Sequence, residues 1–141
     1  MKKNTPAILA FMVLLGVSLA CSLFTGGSAE MSLENLSMAF DENGDSLTTE
    51  FSPSDIFYLV GDLQNAPAGT VVRTEWRAVQ IDGYGPDELI YEQAISDFTE
   101  ESFSGMIYFQ LSNDSGWVTG KYKADVYLDD AFVQSVPFSV R

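Results

Sequence analysis

Lys121-Tyr122-Lys123-Ala124-Asp125-Val126-Tyr127-Leu128, then Asp129-Asp130, then Ala131-Phe132-Val133-Gln134-Ser135-Val136-Pro137-Phe138-Ser139-Val140, is the stretch that decides the fold. Residues 121–128 alternate strictly. Tyr122, Ala124, Val126 and Leu128 fall on one side, and Lys121, Lys123, Asp125 and Tyr127 on the other. A period of two marks a strand with one buried face, because successive side chains point to opposite faces. Asp129-Asp130 reads as a tight turn. Residues 132–140 then return as a second strand with Val136, Phe138 and Val140 inward.

The same pattern recurs upstream. No long segment carries an apolar stripe at period 3.6, and short apolar runs recur between clusters of turn residues. The predicted strands are 33–40, a short piece at 47–51, 56–63, 70–81, 89–95 and 103–111. The turns between them fall at 41–45, 52–53, 64–69, 82–87 and 113–116. In 70–81, Val72, Thr74, Trp76 and Ala78 share the inner face while Arg73, Glu75 and Arg77 share the outer one. In 103–111, Ile107, Phe109 and Leu111 point inward and Tyr108 and Gln110 outward. Residues 89–95 read as an edge strand. Seven or eight strands in about 110 residues predict an all-β antiparallel sandwich. Trp76 and Trp117 are expected in its core.

Gly120-Lys121-Tyr122-Lys123-Ala124 resembles the Gly-x-Tyr-x-Cys stretch of immunoglobulin domains. The resemblance implies that Tyr122 closes the corner leading into its strand, that Ala124 stands where that family has a disulfide cysteine, and that Trp76 fills the place of the core tryptophan. Residues 117–140 are similar to the closing hairpin of bacterial immunoglobulin-like and fibronectin-like modules. The implied fold is an immunoglobulin-like antiparallel β-sandwich of seven or eight strands, of the variety without a disulfide.

The beginning of the chain has a different character. Lys2 and Lys3 precede sixteen uncharged residues, Thr5 to Ala20, and then comes Cys21. Charge, apolar core and a small residue at the cut are the parts of a secretory signal. Ser18-Leu19-Ala20-Cys21 resembles the lipobox of bacterial lipoproteins, with Ser18 where that family usually has Leu. The resemblance implies a signal helix and peptide over 1–20, an acylated Cys21, a flexible tether over 21–31 and the sandwich over 32–141. Cys21 is the sole cysteine, and acylation gives it a role. The expected location is the cell envelope, with the domain held by its lipid on the extracytoplasmic side of a membrane. Two alternatives stay open: an uncleaved membrane-spanning anchor drawn from the uncharged stretch 4–29, or ordinary cleavage that releases a secreted domain.

Charge and residue types narrow the function. Seven Lys and Arg stand against twenty Asp and Glu, a net charge of −13. Without Lys2 and Lys3 the balance is 5 − 20 = −15. Such a chain repels phosphate backbones and anionic lipid surfaces, so no nucleic-acid partner is expected. There is no histidine. That removes Ser-His-Asp and Cys-His catalysis and zinc sites of the His/Cys type, and no cofactor is implied.

The remaining candidates are few. Asp41-Glu42-Asn43-Gly44-Asp45 starts like a calcium loop, but Ser46 and Ser52 stand where glycine and glutamate belong; a polar turn accounts for it equally. The pairs Asp87-Glu88, Glu100-Glu101 and Asp129-Asp130 are sequence neighbours, which a strand points to opposite faces. Arg73 and Arg77 are expected to pair with acids across the sheet. Tyr84, Tyr108 and Tyr127 are the possible ligand contacts, as outward or loop aromatics. The leading expectation is a non-catalytic binding or assembly module with an unknown protein or glycan ligand. The alternatives are a carbohydrate-binding module using those tyrosines and, last, a hydrolase working with carboxylates alone.

Overall fold

The structure is a computed structural model that describes residues 29–141. The expectations for the signal peptide, the cleavage site and Cys21 lie outside the described residues. Eight strands follow one another: β1 (Ser32–Ala39), β2 (Glu50–Phe51), β3 (Phe57–Ala66), β4 (Val72–Ile81), β5 (Leu89–Ile95), β6 (Phe103–Leu111), β7 (Gly120–Leu128) and β8 (Ala131–Val140). They form a three-stranded sheet in the order β1-β3-β6 and a five-stranded sheet in the order β2-β8-β7-β4-β5. Every pairing is antiparallel except β2 with β8.

The predicted alternation sets the faces. Val72, Thr74, Trp76 and Ala78 of β4, Ile107, Phe109 and Leu111 of β6, and Tyr122, Ala124 and Val126 of β7 are all buried. Phe57 sits at the centre of an aromatic cluster. The rings of Phe51, Trp76, Trp117, Tyr122 and Phe138 lie 4.4–6.3 Å from it, at tilted and edge-on angles in most pairs. Trp76 is buried outright and Trp117 partly, stacked on Phe57 with its indole N–H on the Asp55 carbonyl at 3.0 Å. Such pairs add to the burial of large apolar area.

The tyrosine corner forms as the resemblance implies. The Tyr122 hydroxyl donates to the Val118 carbonyl at 2.5 Å, and burial pushes its pKa up to about 12. Gly120, which opens the motif, has φ 151°, and a Cβ there would lie 2.4 Å from the Gln80 carbonyl oxygen. Only glycine lets β7 approach β4 this closely. At the other end of β7, Asp129 (φ 46°) and Asp130 (φ 65°) form a two-residue turn with both residues left-handed. Asp129 is held there by two bonds to Val71: its N–H donates to the Val71 carbonyl and its carboxylate accepts the Val71 N–H.

Two expectations need correction. The piece at 47–51 pairs as a strand only at Glu50–Phe51, because residues 40–49 carry the chain from one sheet to the other. On one side Phe40 and Thr48 donate to Ser46 and Met38; on the other Ser139 donates to Thr49 and Arg141 to Phe51. Residues 64–66 are strand rather than turn. A bulge at Asn65 (φ 54°) lets β3 run on until Ala66 pairs with Phe103. At the start of the domain, Met31 packs partly against the core and the Asn65 side-chain amide donates to the Glu30 carbonyl.

Candidate functional site

The chain crossing at 40–51 closes one long side of the sandwich. The opposite side is bounded by β5 and β6. Among the described residues β5 pairs only with β4 and β6 only with β3, so each strand has a free edge there. One side chain spans the gap. The Gln93 amide oxygen accepts the Trp76 indole N–H at 2.9 Å, and its NH2 donates to the Gln110 carbonyl at 2.8 Å. Gln93 therefore satisfies a buried donor and ties the two sheets together with one group.

Beside this strut lies a cleft of about 430 Å³, walled by Ile90, Tyr91, Leu111 and Trp117 and edged by Gln110 and Asn113. Tyr91 is 52% exposed and Leu89 45%. Asn113 is committed to its own turn, donating to the Gly116 carbonyl at 2.7 Å and accepting from the Ser115 N–H. The cleft thus mixes aromatic and apolar side chains with polar ones, and its Gln93 and Asn113 amides are already satisfied. Tyr91 is not among the tyrosines singled out above. The available signal was its place in Leu89-Ile90-Tyr91-Glu92-Gln93-Ala94-Ile95, an edge strand without Lys or Pro.

The three predicted tyrosines lie on separate surfaces. Tyr84 is exposed on the loop between β4 and β5. Tyr108 is exposed on the outer face of the three-stranded sheet, 6.4 Å from the ring of Tyr58. Tyr127 lies on the outer face of the five-stranded sheet with the Arg73 guanidinium 4.1 Å above its ring and Phe132 edge-on to it.

That outer face is an ionic lattice. Glu75 and Asp125 are direct cross-strand partners, an arrangement that would be repulsive alone. Cations interleave with them. Arg73 and Arg77 both pair with Glu75, and Arg77 and Lys123 approach Asp125 at 3.6 and 3.3 Å. Lys123 also reaches Asp87 at 2.9 Å. The hydrogen bonds from Arg77 and Arg73 hold the Glu75 carboxyl below the usual range. Asp125, read from sequence as an outward residue, does face outward, but the stems of Arg77 and Lys123 leave it only 7% exposed. Arg73 and Arg77 are thus paired with acids, as expected.

Asp41 is a turn cap. Its carboxylate accepts the N–H groups of Asn43, Asp45 and Ser46, which lower its pKa. Among the described residues no group of three or more His, Cys, Asp or Glu is placed to hold a metal ion.

No protein-family model matches the chain, and no curated protein does. Solved structures do. An immunoglobulin-like protein from Pseudomonas aeruginosa aligns over 82% of this chain and 100% of its own, at TM-score 0.50 and 12% identity. The fold is immunoglobulin-like. An alkylpurine DNA glycosylase from Pseudomonas fluorescens, bound to DNA containing an abasic-site analogue, aligns at TM-score 0.52 and 16% identity over 80% of this chain. A mutant β-glucosidase from Listeria innocua in complex with laminaribiose aligns at 0.51 and 15% over 82%. The chain spans 31% of the glycosylase and 17% of the β-glucosidase. At these identities the likeness is one of fold, and immunoglobulin-like sandwiches host many unrelated functions.

Proposed function

We propose that this chain is a non-catalytic binding module, held outside the cytoplasm by a lipid on Cys21, that engages a protein ligand through its open β5–β6 side. The observation that carries the binding side is the exposed, unpaired β5 edge beside the Tyr91–Trp117 cleft. The tether rests on Ser18-Leu19-Ala20-Cys21. Glu75 and Asp125, cross-strand carboxylates, are enclosed by Arg73, Arg77 and Lys123, which favours a structural role for them over general acid–base work.

Intact mass of the protein recovered from cells, beside a Cys21→Ala variant, tests the tether. A chain beginning at Cys21 with added acyl groups, lost in the variant, supports it. An unmodified soluble chain replaces it with secretion, and a full-length chain in the membrane replaces it with a helical anchor. A second reading, glycan binding through outward tyrosines, is favoured by the Tyr58–Tyr108 pair on the three-stranded sheet. Glycan-array binding abolished by Tyr108→Ala would establish it in place of the protein-ligand reading.

A further inference from the structure

We propose that β5 recognises an extended, positively charged polypeptide segment, which adds to the free edge of β5 as a further strand and sets a side chain into the Tyr91–Trp117 cleft. This rests on the reading of the open side as the binding side, and it names the chemistry of the ligand.

The backbone supplies the first reason. An edge strand presents a row of unpaired N–H and C=O groups, and proteins ordinarily blunt such edges with Lys, Pro, bulges, brevity or a cover. The other edges here are blunted. β1 is bulged between Glu34 and Ser37, β2 is two residues long, and β6 has the Gln110 carbonyl taken by Gln93. β5 has neither Lys nor Pro, and Leu89, Tyr91 and Ala94 are exposed; its bulge, at Ile90, lies near its start and leaves Tyr91–Ile95 as a regular stretch. At about 3.3 Å per residue that stretch offers roughly 17 Å of pairing edge.

The cleft supplies the second. Sugar recognition uses aromatic platforms together with free side-chain donors and acceptors. Gln93 and Asn113 are spent on the fold itself. The hydroxyls of Tyr91 and Ser112 remain open there, but the longest run of unsatisfied hydrogen-bonding capacity on this side is the β5 main chain, which another main chain complements. Strand addition takes its affinity from such bonds and its selectivity from pockets for alternate side chains.

Charge supplies the third. Asp82 and Glu88 lie just before β5, and Asp97, Glu100 and Glu101 just after it. The nearby cations are already engaged: Arg73 and Arg77 with Glu75, and Lys123 with Asp87 and Asp125. The field along this edge is negative, in a domain whose balance from residue 29 onward is 5 − 20 = −15. A second copy of the chain fits poorly. Symmetric antiparallel pairing about the midpoint of β5 would set Glu92 against its own copy, and directly opposed like charges destabilise a strand pair.

The test uses the protein purified from whichever cell fraction holds it, and a nine-residue synthetic peptide alternating Lys and Val around a central Trp. Two control peptides go with it: one of equal charge with alternate backbone nitrogens methylated, and one with Glu for Lys. Binding is measured by calorimetry, and hydrogen exchange is followed over residues 89–95. The parent peptide is expected to slow exchange in that segment. Each control is expected to bind about tenfold or more weaker, as is the parent peptide to Tyr91→Lys, whose unchanged melting temperature would show that it folds. Equal affinity for the methylated peptide, which would reduce the effect to charge attraction, overturns the proposal. So does protection elsewhere in the domain, concentration-dependent protection of 89–95 without peptide, or no binding at about 1 mM. If the peptides fail while a folded protein ligand binds in a Tyr91-dependent way, the strand-addition inference falls and the reading of the open side as the binding side stands; if binding depends instead on Tyr108, both fall.

Discussion

The two long sides of the sandwich are closed by different means. On one side the main chain crosses between the sheets at 40–49, bonding to Met38 of β1 through Thr48, to Ser139 of β8 through Thr49 and to Arg141 through Phe51. Phe51 then drives a ring into the core against Phe57 and Phe138. On the other side the chain also crosses, between β5 and β6 at 96–102 with Phe98 packed on Phe103. Along the strands themselves, though, the Gln93 side chain is what bonds β5 to β6, with a cleft beside it. Backbone crossing and aromatic packing resist local opening, because parting the sheets there exposes apolar area and breaks several bonds together. The Gln93 strut, with the Phe98–Phe103 contact at one end, resists it less. Low-stability edges of this kind are where binding surfaces are commonly drawn from.

The contrast can be broken by mutation, and the largest effect belongs to the closed side. Phe51→Ala removes a ring that is 3% exposed and in contact with Phe40, Phe57 and Phe138. Denaturant unfolding should show a loss of about 3–4 kcal/mol. Gln93→Ala comes next. It leaves the buried Trp76 indole N–H without an acceptor, and about 1–2 kcal/mol should be lost. Native-state hydrogen exchange should show the loss concentrated in β5. A uniform loss across all strands would mean that the open side is coupled to the core as tightly as the closed one.

The ionic lattice of β4 and β7 gives an intermediate effect with a definite pH signature. Glu75 is held below its ordinary value of 4.5, chiefly by hydrogen bonding to Arg77, and Asp87 is lowered from 3.8 by Lys123. Groups lowered in the folded state contribute their stability fully above the ordinary pKa and lose it as pH falls through the lowered one. Melting temperature should therefore decline below about pH 4, and Glu75→Gln should flatten that decline while removing about 1 kcal/mol at neutral pH. The smallest effect is expected at Tyr91→Ala, within about 0.5 kcal/mol, because the side chain is half exposed. A larger destabilisation would show that Tyr91 packs for the fold and is not held free for a ligand.

Much of this architecture was legible in the sequence. The alternation in 70–81, 103–111 and 121–128 assigned inner and outer faces correctly, because burial on one face of a strand writes itself directly as a period of two. The Gly120–Tyr122 motif located the corner, since a glycine forced by the close approach of Gln80 and a tyrosine bonded to Val118 leave fixed residue types behind. The crossing at 40–49 was not legible. Its residues satisfy their main-chain groups against two different sheets, a long-range arrangement with no local period. Asn65 was misread for a related reason: a residue that favours turns also suits a left-handed bulge inside a strand.

The site was less legible than the fold. Tyr108 and Tyr127 do face outward, yet they stand on different sheets, and Tyr127 is engaged with Arg73 and Phe132. Which outward side chains share a surface depends on sheet order, and sheet order is set by pairings between residues tens of positions apart. The sequence by itself determined the strand periodicity, the acidic balance and the absence of histidine, because each is a property of residue types and short spacings. The edge position of 89–95 was also read from its sequence; only the tertiary structure decided that this edge lies beside β6, that Gln93 is the strut across the open side, and that Tyr91 and Trp117 meet at one cleft. Those facts follow from which strands become neighbours, and long-range packing chooses the neighbours.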